Sequence, residues 1–119
     1  MKDSLQERLA RYREIQISVT GRKSGRTITI PVWFVLDGDG ETLHLLPVQG
    51  SDTQWFKNVR KNPLIRISAR DEAAEFRATP VSNVKIVSSV VEKFRAKYGA
   101  SDVKKYYSKF DVAVTVKLT

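Results

Sequence analysis

Thr20-Gly-Arg-Lys-Ser-Gly-Arg-Thr-Ile-Thr-Ile-Pro31 lies between two segments of strand-like pattern, and its reading decides the fold. Upstream, Ile15, Ile17 and Val19 alternate with polar residues; downstream, Thr27 to Leu36 is rich in β-branched and aromatic side chains. Both patterns predict strands, so the stretch is a strand-to-strand turn. Its two glycines, Ser24, Arg22, Lys23 and Arg26 bring backbone N–H groups, a hydroxyl and cations together, which is the chemistry of an anion receptor. Glycine-framed basic turns also occur as solvated hairpin tips. A phosphate-binding P-loop is excluded by order, because its lysine follows the second glycine and opens a helix, whereas Lys23 precedes Gly25 and a strand follows.

Outward from the turn, Met1 to Glu14 is expected to be a helix with Leu5, Leu9 and Tyr12 on one narrow face, suited to a domain edge or a second subunit better than to a membrane surface. Asp37-Gly-Asp-Gly40 predicts a hairpin and Glu41 to Leu46 a third strand, on which His44 shows no clear face. Asp52 is the expected N-cap of a helix ending at Lys61, before Asn62-Pro63. Trp55, Phe56 and Val59 form its apolar side and Lys57, Arg60 and Lys61 its basic side, with Asn58 one turn beyond Trp55; plain core packing is the alternative role for Trp55.

Leu64 to Ser68 predicts a fourth strand, Arg70 to Ala74 a turn, and Glu75 to Val81 a fifth strand whose pattern can run on to Val87. Ser89-Val-Val-Glu92 matches a capping box for a helix with Gly99 at its C′ position. A short helix from Asp102 to Lys109 carries Tyr106 and Tyr107, and Asp111 to Leu118 alternates as the last strand. The expected fold is mainly β with helices (α+β), six largely antiparallel strands forming a small barrel or curled sheet with three to four short helices. No repeat or linker divides residues 1–119, which are expected to be one domain.

Composition narrows the chemistry. The chain has no cysteine and one histidine, so disulfides, thiolate nucleophiles and multi-histidine metal sites are excluded and no metal site is expected. Twenty-one Lys and Arg against thirteen Asp and Glu give a net charge of +8, which favours anionic partners. No apolar run reaches the roughly 20 residues that span a bilayer, and no secretory h-region opens the chain, so a soluble cytoplasmic protein is expected.

Thr20-Gly-Arg-Lys-Ser-Gly25 with Pro31 six residues on, the Asp37-Gly-Asp-Gly hairpin, a strand leading to Gly50, Trp55-Phe-Lys-Asn58 with its Lys61-Asn-Pro63 ending, and a last strand opening at Phe110 occur in one order along nearly the whole chain. In this the sequence resembles the deazaflavin (F420)-dependent nitroreductase and quinone reductase family, whose split β-barrel is related to FMN-binding pyridoxamine-phosphate-oxidase-like proteins. The resemblance implies a six-stranded antiparallel split barrel and an F420H2-dependent oxidoreductase that passes a hydride to a quinone, nitroaromatic or enone. It further implies that Lys23 and Ser24 hold phosphate or tail, Arg22 and Arg26 line the approach, Pro31 shapes the pocket, and Trp55 and Asn58 border the cofactor. Tyr107 is the expected proton donor, with Tyr106 or solvent as alternatives. A homodimer follows from the resemblance alone.

Two other readings stay open. One is an FMN-binding split-barrel flavoprotein, whose single phosphate needs fewer cations. The other is a non-enzymatic module for an anionic ligand such as nucleic acid; against nucleic acid, Trp33 and Phe34 lie in a run expected to be buried instead of interleaving with basic residues on an exposed face.

Overall fold

The computed structural model describes residues 9, 12–37, 40–69 and 72–118. Strands β1 (Glu14–Thr20), β2 (Thr27–Leu36), β3 (Thr42–Leu45), β4 (Leu64–Ala69), β5 (Glu72–Val81) and β6 (Ala113–Lys117) pair antiparallel throughout. They close into a barrel in the order β1-β2-β3-β6-β5-β4. With helices α1 (Gln54–Lys61), α2 (Val84–Tyr98) and α3 (Ala100–Tyr106), this is the expected α+β barrel of six antiparallel strands.

Alternation sets the inside of the barrel. Ile15, Ile17 and Val19 of β1 are buried, and Ile17 lies opposite Ile30 of β2 and Ile67 of β4. Val114 and Val116 of β6 enter the same core, where each fully buried aliphatic side chain is worth about 1.5–3 kcal/mol. The two ten-residue strands each belong to two sheets: β2 pairs with β1 through Trp33 and with β3 from Phe34, while β5 pairs with β4 through Arg77 and with β6 from Ala78. That change of partner splits the barrel.

Where β2 leaves β1, the Phe34 backbone needs new partners, since an unpaired buried N–H or C=O is costly. Its N–H donates to Tyr98 Oη at 3.1 Å, and its carbonyl accepts from Tyr98 Oη at 2.8 Å and from Lys97 Nζ at 2.9 Å. Both side chains come from the last turn of α2, which lays Val87, Val90, Val91 and Phe94 against Val35 and Leu46 in a second core outside the barrel.

Several expected boundaries move. The helix expected over residues 1–14 lies largely outside the described residues, except that Leu9 is fully buried and Glu14 already begins β1. Asp52 is not the cap of α1; residues Gly50–Asp52 form a 3₁₀ turn and Thr53 holds the N-cap position. Glu72, Ala73 and Ala74 belong to β5, not to a turn, because strand pairing runs back to Ala69 opposite Glu72. Helix α2 starts well before Ser89: Asn83 caps it, its side chain accepting from the Lys85 and Ile86 N–H groups, and Ser89 lies in the helix interior. That cap also stops β5 at Val81. Gly99 does end α2, at φ 94°. Helix α3 runs from Ala100 and stops at Tyr106, and β6 starts at Ala113, because the residues between are drawn to the 48–52 loop. Among the described residues, no helix is long and apolar enough to cross a membrane.

The two competing caps separate experimentally. Asn83→Ala is expected to lower the unfolding free energy by about 1 kcal/mol in urea denaturation, and Ser89→Ala by less than about 0.5 kcal/mol.

Candidate functional site

The odd-numbered residues of β2 point away from the barrel interior, and at the change of partner this places Trp33 on the outer surface beside Pro31. The Trp33 ring stacks on Tyr98 with centroids 4.3 Å apart and planes 7° from parallel, and meets Tyr106 edge-on at 5.6 Å. Pro31, Trp33, Leu46, Val48, Trp55 and Tyr107 are among the walls of a half-open cleft of about 420 Å³. The cleft is apolar and aromatic, the character of a slot for a flat organic ring.

Tyr107 is 5% exposed, and its hydroxyl makes no hydrogen bond among the described residues. Burial, helped by Tyr98 nearby, pushes its pKa well above that of an ordinary tyrosine, so the hydroxyl is protonated at neutral pH, as any tyrosine is, and is a weaker acid than usual. Tyr98 is fixed differently: its hydroxyl also donates to the Arg13 carbonyl at 2.6 Å, and burial pushes it up to about 12 despite its bond to Phe34. Lys97 sits 3.7 Å from the centroid of the Phe34 ring; burial and then the charge of Arg13 bring it down to about 8.

Two loops that supply opposite walls are clasped together. Ser108 N–H donates to the Val48 carbonyl at 2.8 Å, and Gln49 and Lys109 form a parallel bridge. Ser51 donates to both carboxylate oxygens of Asp111, from its N–H at 2.9 Å and its hydroxyl at 2.6 Å, and Lys109 Nζ reaches Asp52 at 3.2 Å. Gly50 (φ 56°) sits under this clasp, where a Cβ would come within 2.1 Å of Asp111 Oδ1. Burial would raise the Asp111 carboxyl, but the two Ser51 hydrogen bonds and the Lys109 charge outweigh it and hold the group below the usual carboxylate range.

The basic turn closes on itself: Gly21 N–H donates to the Arg26 carbonyl at 2.8 Å, and Ser24 Oγ accepts from Arg26 N–H at 3.2 Å. It is anchored to α1 through Asn58, which is 4% exposed and whose Oδ1 accepts from both the backbone N–H (3.1 Å) and Nη1 (2.8 Å) of Arg22. Arg22 Nη2 donates to Gln54 Oε1 at 2.8 Å. Lys23 and Arg26 are exposed and form no ion pair among the described residues.

Of the residues singled out by sequence, Pro31, Trp55 and Tyr107 come together in the cleft, while Arg22 and Asn58 engage each other beside it. Lys23, Ser24 and Arg26 stay on the turn, outside the cleft's walls. Arg26 is four residues from Ile30, the first cleft residue of β2, so roughly 13 Å of strand separates cations from slot. Trp33, expected to be buried, is only partly so and is a cleft wall; its i, i+2 relation to Pro31 was the available signal. Nothing local in the sequence marked Tyr98 or the Asp111 clasp.

His44 is buried and structural in its contacts. Its Nε2 donates to Asp37 Oδ1 at 2.9 Å, its Nδ1 faces Thr115 Oγ1 at 3.0 Å, and Lys93 also pairs with Asp37. Burial alone would raise Asp37, but the bonds from Lys93 and His44 hold it below its ordinary value. Among the described residues no group of three side chains is placed to hold a metal ion.

A family profile described as "Uncharacterized protein conserved in bacteria (DUF2255)" matches residues 6–118. No curated protein sequence matches the chain. Among solved structures, an F420-H2 dependent reductase (FDR-A) superposes with a TM-score of 0.66 at 16% identity, covering 88% of this chain and 94% of that one. A putative pyridoxamine 5'-phosphate oxidase from Listeria innocua gives 0.70 at 14% identity, with 97% and 90% covered. A domain-swapped dimer gives 0.68 at 16%, with 97% and 98% covered. At these identities the likeness establishes a shared fold.

Tyr98→Phe keeps the stacked ring but orphans the Phe34 N–H, and is expected to cost about 1–3 kcal/mol in denaturant unfolding. Lys97 carries a pH signature. Its folded pKa of about 8 lies below the ordinary lysine value of 10.5, so between those values the unfolded chain binds more protons and stability rises with pH. Lys97→Met should remove that part of the rise, read as the difference between denaturation midpoints at pH 7.5 and 10 for the two proteins.

Proposed function

We propose that this chain, which belongs to the DUF2255 family, binds a flavin-type cofactor in the cleft and serves as an F420H2-dependent reductase of quinones, nitroaromatics or enones. The observation that carries this is the pairing of an apolar aromatic slot with an exposed basic turn at the far end of the same strand. The F420-H2 dependent reductase and the pyridoxamine phosphate oxidase on the same fold support the cofactor class.

The residues fit such a group in kind. Pro31, Trp33 and Trp55 offer flat apolar contact for a ring, and Lys23 and Arg26, one strand segment away, are exposed with no side-chain partner among the described residues and so suit a phosphate. Arg22 would line the approach, Ser24 would add a hydroxyl, and Asn58 would act by fixing Arg22. A bound reduced deazaflavin supplies the hydride. The chain's share is to orient the ring, exclude water and, through the protonated Tyr107 hydroxyl at the cleft wall, donate a proton to the acceptor. The cleft is half-open, and a second copy of the chain is proposed to close it; the domain-swapped dimer on this fold supports homodimerisation.

One observation favours FMN as the second reading. The Arg22 guanidinium is turned toward Asn58 and Gln54, and Lys23 and Arg26 are the turn's cations whose side chains have no partner among the described residues, which is enough for a single phosphate.

Titration with oxidised F420 and with FMN, followed by tryptophan and cofactor fluorescence, tests both. Saturable F420 binding that weakens about tenfold in Lys23→Ala, in line with loss of one charge-assisted contact, is expected. Tyr107→Phe should retain the cofactor and slow acceptor reduction. FMN binding without F420 binding selects the second reading, and binding of neither removes both. Unchanged affinity in Lys23→Ala and Arg26→Ala would take the turn out of the site.

A further inference from the structure

Successive residues of α1 face three different hollows. Trp55 lines the aromatic cleft, Phe56 a second pocket with Pro80, Val81 and Val112, and Lys57 a third hollow of about 430 Å³. At roughly 100° per residue, Lys57, Arg60 and Lys61 point about 140–240° around the helix from Trp55. The basic face of α1 is therefore turned away from the cleft.

The third hollow is lined by Arg22, Ser51, Lys57, Arg60 and Lys61. The side chains of Lys57, Arg60 and Lys61 form no ion pair or hydrogen bond among the described residues. Their i, i+3 and i, i+4 spacing sets like charges against one another on a single helix face, an arrangement that costs stability until an anion is bound. Arg22 differs from them in being preset: Asn58 and Gln54 hold its guanidinium in one orientation at 2.8 Å each, so little freedom is lost when a ligand arrives. Ser51 is not a free donor, since its hydroxyl is given to Asp111, whose carboxylate marks the rim on that side.

We propose that this hollow is a second anion site, separate from the cleft, which takes a short chain of phosphoryl groups such as an inorganic oligophosphate or the phosphates of a nucleoside triphosphate. Four cations on one small concave surface match several linked negative charges better than one. No aromatic side chain lines the hollow, so a nucleobase or a stacked nucleic-acid strand has no platform there. The hollow shares no lining residue with the cleft, and of the turn's cations in the cofactor reading Arg22 alone lines it, Lys23 and Arg26 lying outside.

Isothermal titration of the full chain with inorganic tripolyphosphate at low salt tests the site, with ATP, sulfate at equal ionic strength and a short DNA duplex as parallel arms. One saturable site is expected, filled equally well by ATP and tripolyphosphate, weakened at least about tenfold in the Lys57→Gln, Lys61→Gln double variant and unchanged in Lys23→Ala. Lys61 is exposed and Lys57 half-buried, and a urea melt of the double variant verifies that the fold is kept. Absence of saturable binding, equal competition by sulfate, or binding of the duplex but not of tripolyphosphate overturns the proposal. So does a parallel loss of flavin or deazaflavin binding in the double variant, which would make the hollow part of the cofactor's own site.

Discussion

Phe34 is where the barrel divides, and its backbone is the constraint on which the surrounding structure depends. A strand that changes partners leaves an N–H and a C=O facing a departing neighbour, and both must be satisfied in a dry place. Tyr98 does this with one hydroxyl that accepts from Phe34 N–H and also reaches the carbonyls of Phe34 and Arg13, so a side chain stands in for the missing strand. Lys97 adds a second donor to the same carbonyl. The requirement fixes where the C-terminal end of α2 must lie, and with it the ring on which Trp33 stacks. Backbone satisfaction and the wall of the cleft are thus one arrangement.

The rest of the site follows from segments held at its margins. Tyr106 and Tyr107 arrive on and just after α3, which begins where Gly99 ends α2. Val48 and Trp55 arrive on the other side, one before and one after the 3₁₀ turn. The two groups meet because Ser108, Lys109 and Asp111 bond to Val48, Gln49, Ser51 and Asp52. Positive charge is concentrated away from this slot, on the turn between β1 and β2 and on the far face of α1, while Glu14 puts one carboxylate at the cleft's wall.

Most of the barrel was legible because its signals are local. β1, β2 and β6 show alternation or β-branched content that needs no partner to be read, and β2 has the bounds its composition predicts. The start of α2 was not legible: Val84 and Ile86 carry β-branched side chains that extend the strand pattern, and the capping box at Ser89 offered a plausible later start. Asn83 wins because its side chain reaches two backbone N–H groups, a fact of geometry invisible in the string. The site divides in the same way. Trp55 and Pro31 were singled out by family-like spacing and both line the cleft, but the contacts of Asn58 depend on Arg22, 36 residues away, and those of Tyr98 on Phe34, 64 residues away.

The clasp at Gly50 has a consequence for how the cleft can breathe. Its bonds run between two short loops and share Asp111 and Lys109, so lifting one wall strains every link at once. Opening the aperture therefore requires these bonds to break together. In amide exchange, Ser51 and Ser108 would lose protection together, at a single opening free energy below that of the barrel strands.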